Sequence, residues 1–438
     1  LRLQFNWDTK TLYDVVATLR GSVAPDEWIV RGNHHDAWVN GAEDPISGQV
    51  ALLEEARALG AMAKAGWQPR RTIVYAAWDG EEEGLLGSTE WAEAHGAELM
   101  RKAVVYINTD GNGRGYLGMG GSHTLERFMN DVARDIPDPE TGLTAWKRAQ
   151  LAIIRNGSPD DRSRARQSLI RLNPLGSGSD WSAFLQHLGV ASLDLGYGGE
   201  DDGGIYHSIY DDYYWYTHFS DTSFVYGKAL AQTVGTTVMR LAGAELLPLR
   251  FTGLAQNVAT YSEEVQKLLK DRREEYQERN RQLEEGVFTA TSDPRRPTTA
   301  PPREVVPPFL NWSPLENAID SLTRAAARYD SIATAAGQGD GSAYARAASA
   351  GLNARLLESE RRLTSPAGLP NRPWYRHLIY APGFYTGYGV KTLPGVREAI
   401  EQKDYALAER EIGRLAEALT AEATLVGEAA DALAAAGR

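Results

Sequence analysis

Apolar and polar positions follow two rhythms along the chain, and the change between them falls near residue 245. Before it, short apolar runs alternate with stretches of helical spacing. "EWIVRGNHH" (27–35), "RTIVYAAWD" (71–79), "AVVYINTD" (103–110) and "VASLDLGY" (190–197) are predicted strands. A continuous apolar run of this length suits a strand covered on both faces. Residues 46–65 space Val50, Leu53 and Ala56 as a helix would, and 85–94, 179–188 and 221–243 are also predicted helices. The opening "LRLQFNWDTKTLYDVVATLRGS" reads as strands already in progress. Strands alternating with helices predict a three-layer α/β domain around a buried sheet. Ligands of such sheets gather at the carboxyl ends of the strands.

After residue 245 the pattern becomes helical. Residues 256–285 form a charged amphipathic repeat, and further helices are predicted over 313–336, 342–362 and 395–435. The stretch "SDPRRPTTAPPREVVPPF" (292–309) is too rich in proline for a helix interior and is expected as a loop held on the surface. The expected division is therefore an α/β unit over 1–245 and a helical unit over 246–438.

Composition narrows the chemistry. The 438 residues carry a net charge of −12, which argues against a nucleic-acid partner. They contain no cysteine, so any metal must be held by His, Asp and Glu. No apolar run is long enough to span a bilayer, and no signal peptide is visible.

Against this background the predicted strand ends stand out. "GNHHDAW" supplies His34, His35 and Asp36; "GAEDPISG" supplies Glu43 and Asp44; "WDGEEEG" supplies Glu81, Glu82 and Glu83. "INTDGNG" adds Asp110, and "YHSIYDD" adds His207, Asp211 and Asp212. Each position alone has a plain explanation. A histidine at a strand end is commonly structural, three glutamates suit a helix start, and Asp110 before Gly-Asn-Gly suits a turn. Together, at the ends of strands expected to lie side by side, they point to two divalent ions. With His34 and His207 neutral and Asp44, Glu82 and Asp110 ionised, three negative charges meet two dications, and one hydroxide neutralises the remainder. Mixed His and carboxylate donors suit zinc, with manganese or cobalt as alternatives. Of the adjacent Glu81 and Glu82, one would bind metal and the other would act as general base.

The strings "VRGNHHDAWVNGAEDPISG", "RRTIVYAAWDGEEEGLLGSTEWAE", "VVYINTD", "LGSGSDWSAFLQHLGVAS" and "YHSIYD" resemble, in order and spacing, the zinc exopeptidases related to glutamate carboxypeptidase II, a family that includes the transferrin receptor. "HLIYAPGFYTGYGVKTLPGVREAI" extends the resemblance into the helical unit. The resemblance implies a three-layer zinc-exopeptidase domain with a mixed, mostly parallel sheet, followed by an α-helical dimerisation domain. It implies two zinc ions: His34, Asp44 and Asp110 on one, with Asp44 bridging to a second that also takes Glu82 and His207. Glu81 becomes the general base and Tyr206 a hydrogen-bond donor to the oxyanion. Glu90 and Glu93 match carboxylates of a structural calcium. The family fold also includes chain ahead of Leu1, so this sequence is either a piece of a longer protein or the partner of a separate N-terminal fragment.

Departures from the family pattern bear on the substrate. Glutamate-specific members hold carboxylates with basic residues. Here Asp194 and Gly196 stand where arginines are expected, Ser179 replaces an asparagine, and Gly387 replaces a lysine beside a retained Tyr388. The approach to His207 carries Glu200, Asp201 and Asp202 and no base. Such a pocket repels a carboxylate and attracts a free amino group, or these acids simply decorate a solvated loop. The expected activity is a binuclear zinc exopeptidase acting as an aminopeptidase or dipeptidase. The alternatives are a glutamate carboxypeptidase, a one-zinc cyclase-like enzyme, and a silent receptor-like dimeric module. Complete retention of the ligand set and base argues against the last two. The resemblance further implies a peptide substrate, a homodimer and an extracytoplasmic location, periplasmic or secreted in a bacterium.

Overall fold

Four apolar runs lie side by side and account for most of the buried sheet. The computed structural model describes residues 1–438 apart from Leu1, Ser168, Asp202, Asp340 and Arg438. In chain order the α/β part contains β1 (Val15–Leu19), β2 (Ala24–His34), α1 (Ser47–Lys64), β3 (Arg71–Trp78), α2 (Leu86–Ala94), α3 (Gly96–Lys102), β4 (Ala103–Asn108) and β5 (Gly115–Gly121). It continues with α4 (Glu126–Asp135), α5 (Ala145–Asn156), α6 (Pro159–Arg166), β6 (Ser192–Gly199), α7 (Tyr213–Phe219) and α8 (Val225–Gly243). The strand order is β1-β3-β2-β4-β6-β5. The four inner strands are parallel, and β1 and β5 run antiparallel at the edges.

Alternation along the strands assigns the two faces. Arg31 and Tyr75 point to α1, where both bond the buried Glu55. Trp78 and Tyr106 point the other way, to Trp91 of α2 and to Phe184, whose ring stacks on Tyr106 at 4.0 Å. Gly32 lies beneath that aromatic layer, where a Cβ would collide with Trp78 and Tyr106.

Several expectations change. The opening segment is a strand only over Val15–Leu19, because β1 is an edge strand and the residues before it have no neighbour to pair with. The 179–188 helix is present over 181–187, and its part over Ala183–His187 is widened, with Leu188 N–H bonded to Ala183 O at 3.1 Å. Strand β5, "GYLGMGG", lacks the β-branched residues that announce a strand, and its ladder to β6 creates it.

The helical part contains α9 (Thr252–Glu284), α10 (Val287–Ala290), α11 (Ser313–Gly337), α12 (Ser342–Ser349), α13 (Leu352–Leu357), α14 (Ser359–Arg362), α15 (Pro394–Glu401) and α16 (Tyr405–Ala436). The expected 342–362 helix is thus three short ones. Gly351, at φ 85°, makes the first break. The proline-rich stretch holds no helix or strand. A hairpin of β7 (Tyr380–Pro382) and β8 (Val390–Thr392) projects its 383–389 loop toward the sheet's carboxyl edge, where Ser177 N–H bonds Tyr388 O at 3.1 Å. From α14, Arg361 donates to Leu99 O and Ala103 O, tying the helices to the sheet.

Behind the hairpin, Glu360 accepts from His377 and Tyr380, and Glu422 accepts from Ser359. Burial pushes Glu422 up to about 8 against the Ser359 bond, with Glu360 adding repulsion. A carboxyl raised on folding stabilises the fold in its neutral form, so that contribution is lost as pH rises from its unfolded value through 8. Glu422→Gln is therefore expected to raise Tm at pH 9 by about 2 °C or more, equivalent to ~1 kcal/mol, and to change it little at pH 4. Thermal melts across that range check the sign.

Candidate metal centre

Each ligand candidate is placed by a local device at the sheet's carboxyl edge. His34 is the last residue of β2 and is 1% exposed. Asp44 lies in the tight turn over Ala42–Ile46, which Asp211 holds by accepting the Glu43 and Asp44 N–H groups at 2.7 and 3.1 Å. Glu81 and Glu82 follow β3 in a turn that Asp36 organises, its two oxygens accepting their backbone N–H groups at 3.1 and 3.0 Å. Asp110 follows β4. His207 comes from the loop after β6 and adopts φ 56°, a strained value for a residue with a Cβ.

The side chains converge on two points. His34 Nε2 lies 3.2 Å from Asp44 Oδ1 and 3.0 Å from Asp110 Oδ1. His207 Nε2 lies 3.2 Å from Asp44 Oδ2 and 3.2 Å from Glu82 Oε2. Both triads have their ligand atoms within 4.8 Å of one another, and they share Asp44, one oxygen to each. For a tetrahedral ion with bonds near 2.0–2.1 Å, neighbouring donors stand about 3.3 Å apart, so these spacings fit zinc. The charge fits as well. Burial pushes Glu81 up to about 9, opposed by His34 and reinforced by Asp180, Asp110 and Glu82. Glu82 is pushed up to about 7 by burial and then by Asp44. Despite its burial, the His34 ring is driven far above the ordinary range by Asp110, Asp36 and Asp44. Protein groups alone leave this edge over-supplied with negative charge, the condition that a pair of dications relieves.

A cavity of about 430 Å³ opens over the two triads. Glu43, Glu81, Tyr206 and Tyr388 line it, with Gly111 and Gly178. The Tyr206 hydroxyl donates to Tyr388 Oη at 3.3 Å. Among the described residues, no lysine or arginine lines this cavity.

A profile of peptidase family M28 matches residues 14–220, the span that contains both triads and Glu81. A profile of the transferrin receptor-like dimerisation domain matches residues 310–426. Curated relatives match along most of the chain: a probable glutamate carboxypeptidase of Arabidopsis thaliana is 33% identical over 390 residues, covering 89% of this chain and 49% of the relative. This chain belongs to the M28 peptidases, in the branch of glutamate carboxypeptidase II and the transferrin receptor. Aminopeptidase NAALADL1 of Rattus norvegicus is 30% identical over 398 residues, 88% of this M28 chain and 47% of the relative. An aminopeptidase from Aneurinibacillus sp. strain AM-1 overlays 52% of this chain and 48% of its own, at 19% identity and a TM-score of 0.38. The M28 chain spans about half the length of the curated relatives it matches.

The remaining sequence candidates are distributed unevenly around the M28 site. Tyr388 lines the cavity, whereas Ser179, Asp194, Gly196 and Gly387 are not among the residues that do. Ser179 is fully buried, and Asn108 donates to it at 3.0 Å and to Asp194 at 3.1 Å. Gly387 leaves open space where a Cβ would stand. Glu90 and Glu93 lie on α2, and Glu93 accepts the Trp374 indole N–H at 2.6 Å. No third His, Asp or Glu among the described residues joins them in a metal-holding group. Of the loop acids, Asp201 accepts from Ser220 at 2.6 Å, while Asp202 lies outside the described residues. His35 and Asp79 serve the opening segment, bonding the backbone of Tyr13 at 3.1 and 2.7 Å. Sequence reasoning missed Asp180, a fully buried acid that burial pushes up to about 7. An acid between a serine and a tryptophan in "GSGSDW" was its only signal.

Proposed function

We propose that this chain is the catalytic and dimerising part of a binuclear zinc exopeptidase that removes residues from peptides with a free amino terminus, as an aminopeptidase or dipeptidase. The observation that carries the reading is the pair of triads sharing Asp44, with Glu81 beside them in an open cavity. His34, Asp44 and Asp110 would hold one ion, and Asp44, Glu82 and His207 the other. Bound there, two dications supply Lewis acidity that polarises a carbonyl and acidifies water toward neutrality.

The protein groups do the rest. Glu81 takes the proton of the attacking water and delivers it to the departing amine. Its turn is held by Asp36, so the carboxylate keeps its aim while the proton moves. The Tyr206 hydroxyl faces the cavity and turns its one proton from Tyr388 Oη to the oxyanion. Tyr388 orients Tyr206 and closes one side of the cavity.

The direction of cleavage rests on charge. Burial pushes Glu43 up to about 7, with Asp201, Asp211, Asp44 and Asp110 adding repulsion, so an arriving ammonium group is favoured there over a carboxylate. Glu43→Gln is expected to lower the preference for free-amine over N-acetylated dipeptides about tenfold, read as the ratio of kcat/KM values. Unchanged ratios would favour the glutamate carboxypeptidase reading, in keeping with the name of the Arabidopsis relative. The reading as a whole is tested by metal content per chain together with hydrolysis of a dipeptide library. Two zinc equivalents and release of single amino acids support it, and protein that stays metal-free after reconstitution rejects it.

The same reading assigns 1–245 to the catalytic domain and 246–438 to dimerisation, with a homodimer as the working assembly. An extracytoplasmic location follows the family; among the described residues no helix is long and apolar enough to cross a membrane. A structural calcium at Glu90 and Glu93 would need oxygen donors from chain outside this sequence, such as a separate N-terminal fragment.

A further inference from the structure

The outer edge of β5 has a gap in its hydrogen bonding. The bonds flanking the β5–β6 ladder, Glu200 N–H to Arg114 O and Ser122 N–H to Ser192 O, show that even-numbered residues of β5 bond β6. The backbone groups of its odd-numbered residues therefore point outward. At one end Gly115 O accepts from Arg148 at 3.2 Å. At the other, Asn173 donates to Met119 O at 3.0 Å and accepts from Gly121 N–H at 2.9 Å. Between them the Leu117 N–H, the Leu117 carbonyl and the Met119 N–H have no partner among the described residues. Leu117 and Met119 are only 5% and 4% exposed. A sheet edge with free N–H and C=O groups is a template for a further strand.

The chain comes close to filling this gap and then turns away. Asn173 forms a parallel bridge opposite Gly120. A strand continued back from it would bring Arg171 to the free groups. Instead Ile170 N–H bonds Asn130 at 2.8 Å and Leu172 N–H bonds Glu126 at 3.2 Å, which holds this segment off the edge. The space left is a cavity of about 440 Å³, walled by apolar Ile153, Leu169 and Ile170. Arg155, Arg164 and Arg171 also line it, against the single acid Asp161. Arg164 is engaged by Asn257 and Thr260, whereas Arg171 lies over the Tyr261 ring with its Nε unpaired.

We propose that this slot takes an extended, acidic peptide segment of another polypeptide as an added strand, at a site separate from the metal centre. The free groups run donor, acceptor, donor. A parallel strand in line with Asn173 matches them with one residue's N–H to Leu117 O and its C=O to Met119 N–H, and the C=O two residues earlier takes Leu117 N–H. Small ligands seldom carry that repeat, whereas every extended peptide does. The three arginines against one acid select for carboxylate side chains.

The test uses the whole chain and a fluorescent peptide of alternating Val and Glu, acetylated and amidated so that an exopeptidase leaves it intact. Binding is expected by anisotropy, with the Leu117 and Met119 amides slowed in hydrogen exchange. N-methylation of the alternate amides that face β5 should weaken binding at least about tenfold, and methylation of the other set should not. Leu117→Pro deletes an N–H that the β6 ladder does not use and should weaken binding similarly, with a cooperative melt above the assay temperature showing the fold retained despite the lost leucine packing. No binding at millimolar peptide, or indifference to which amides are methylated, overturns the proposal. So does strong protection of both amides in the free protein, since its own chain then fills the slot. Self-association that Leu117→Pro abolishes assigns the slot to a second copy and overturns it equally.

Discussion

Glu81→Gln is expected to lower kcat about 10³-fold or more while the protein still carries its full complement of metal. The substitution keeps the shape of the side chain and its place in the turn that Asp36 organises. It removes only the ability to take and return a proton. Burial and the neighbouring acids raise this carboxyl in the protein alone, and two dications beside it would favour the ionised form that takes a proton. Metal analysis and steady-state kinetics on the same preparation check the expectation. Near-wild-type turnover would move the base elsewhere, and loss of metal would make Glu81 a ligand.

Asp44→Ala is expected to be more severe, because one side chain serves both triads. Its two oxygens stand 3.2 Å from His34 and 3.2 Å from His207. Removing them should leave each remaining group with two donors and lower zinc affinity by well over about 100-fold, beyond the loss usual for a supporting residue. Ligand binding stabilises a fold by about 2.7 kcal/mol when the ligand is at 100 times its Kd. Zinc should therefore raise the wild-type Tm clearly and the variant's hardly at all. Melts with and without zinc, alongside metal content, read the effect without relying on activity. An Asp44→Ala protein that still binds two equivalents would show that the shared carboxylate is not the bridge.

Much of this arrangement was legible because strand ends are legible. His34, Glu82 and Asp110 each follow an apolar run, and parallel strands bring such ends together whatever the loops do. Asp44 and His207 lie in loops, where donor chemistry in a glycine-rich setting singled them out, and the resemblance added which ion each would hold. What escaped was what depends on tertiary neighbours. Strand β5 is glycine-rich and exists because β6 lies beside it. The 179–188 segment is helical over 181–187, but its widening over Ala183–His187, where Phe184 stacks on Tyr106, has no sign in the pattern. Ser179 and Asp194 read as pocket residues, yet both bond Asn108 instead of lining the cavity. Nothing in a linear pattern says on which side of a wall a small or acidic residue will stand.

The 383–389 loop belongs by sequence to the helical half, yet its Tyr388 bonds Ser177 and Tyr206 at the rim of the reaction cavity. The two halves of the chain therefore cannot diverge independently. A substitution in the loop that alters what enters the cavity must remain compatible with the helices that carry it. A transplanted helical half would bring its own substrate preference with it. Chimeras between relatives should inherit selectivity from both parents, with the crossover point deciding the share.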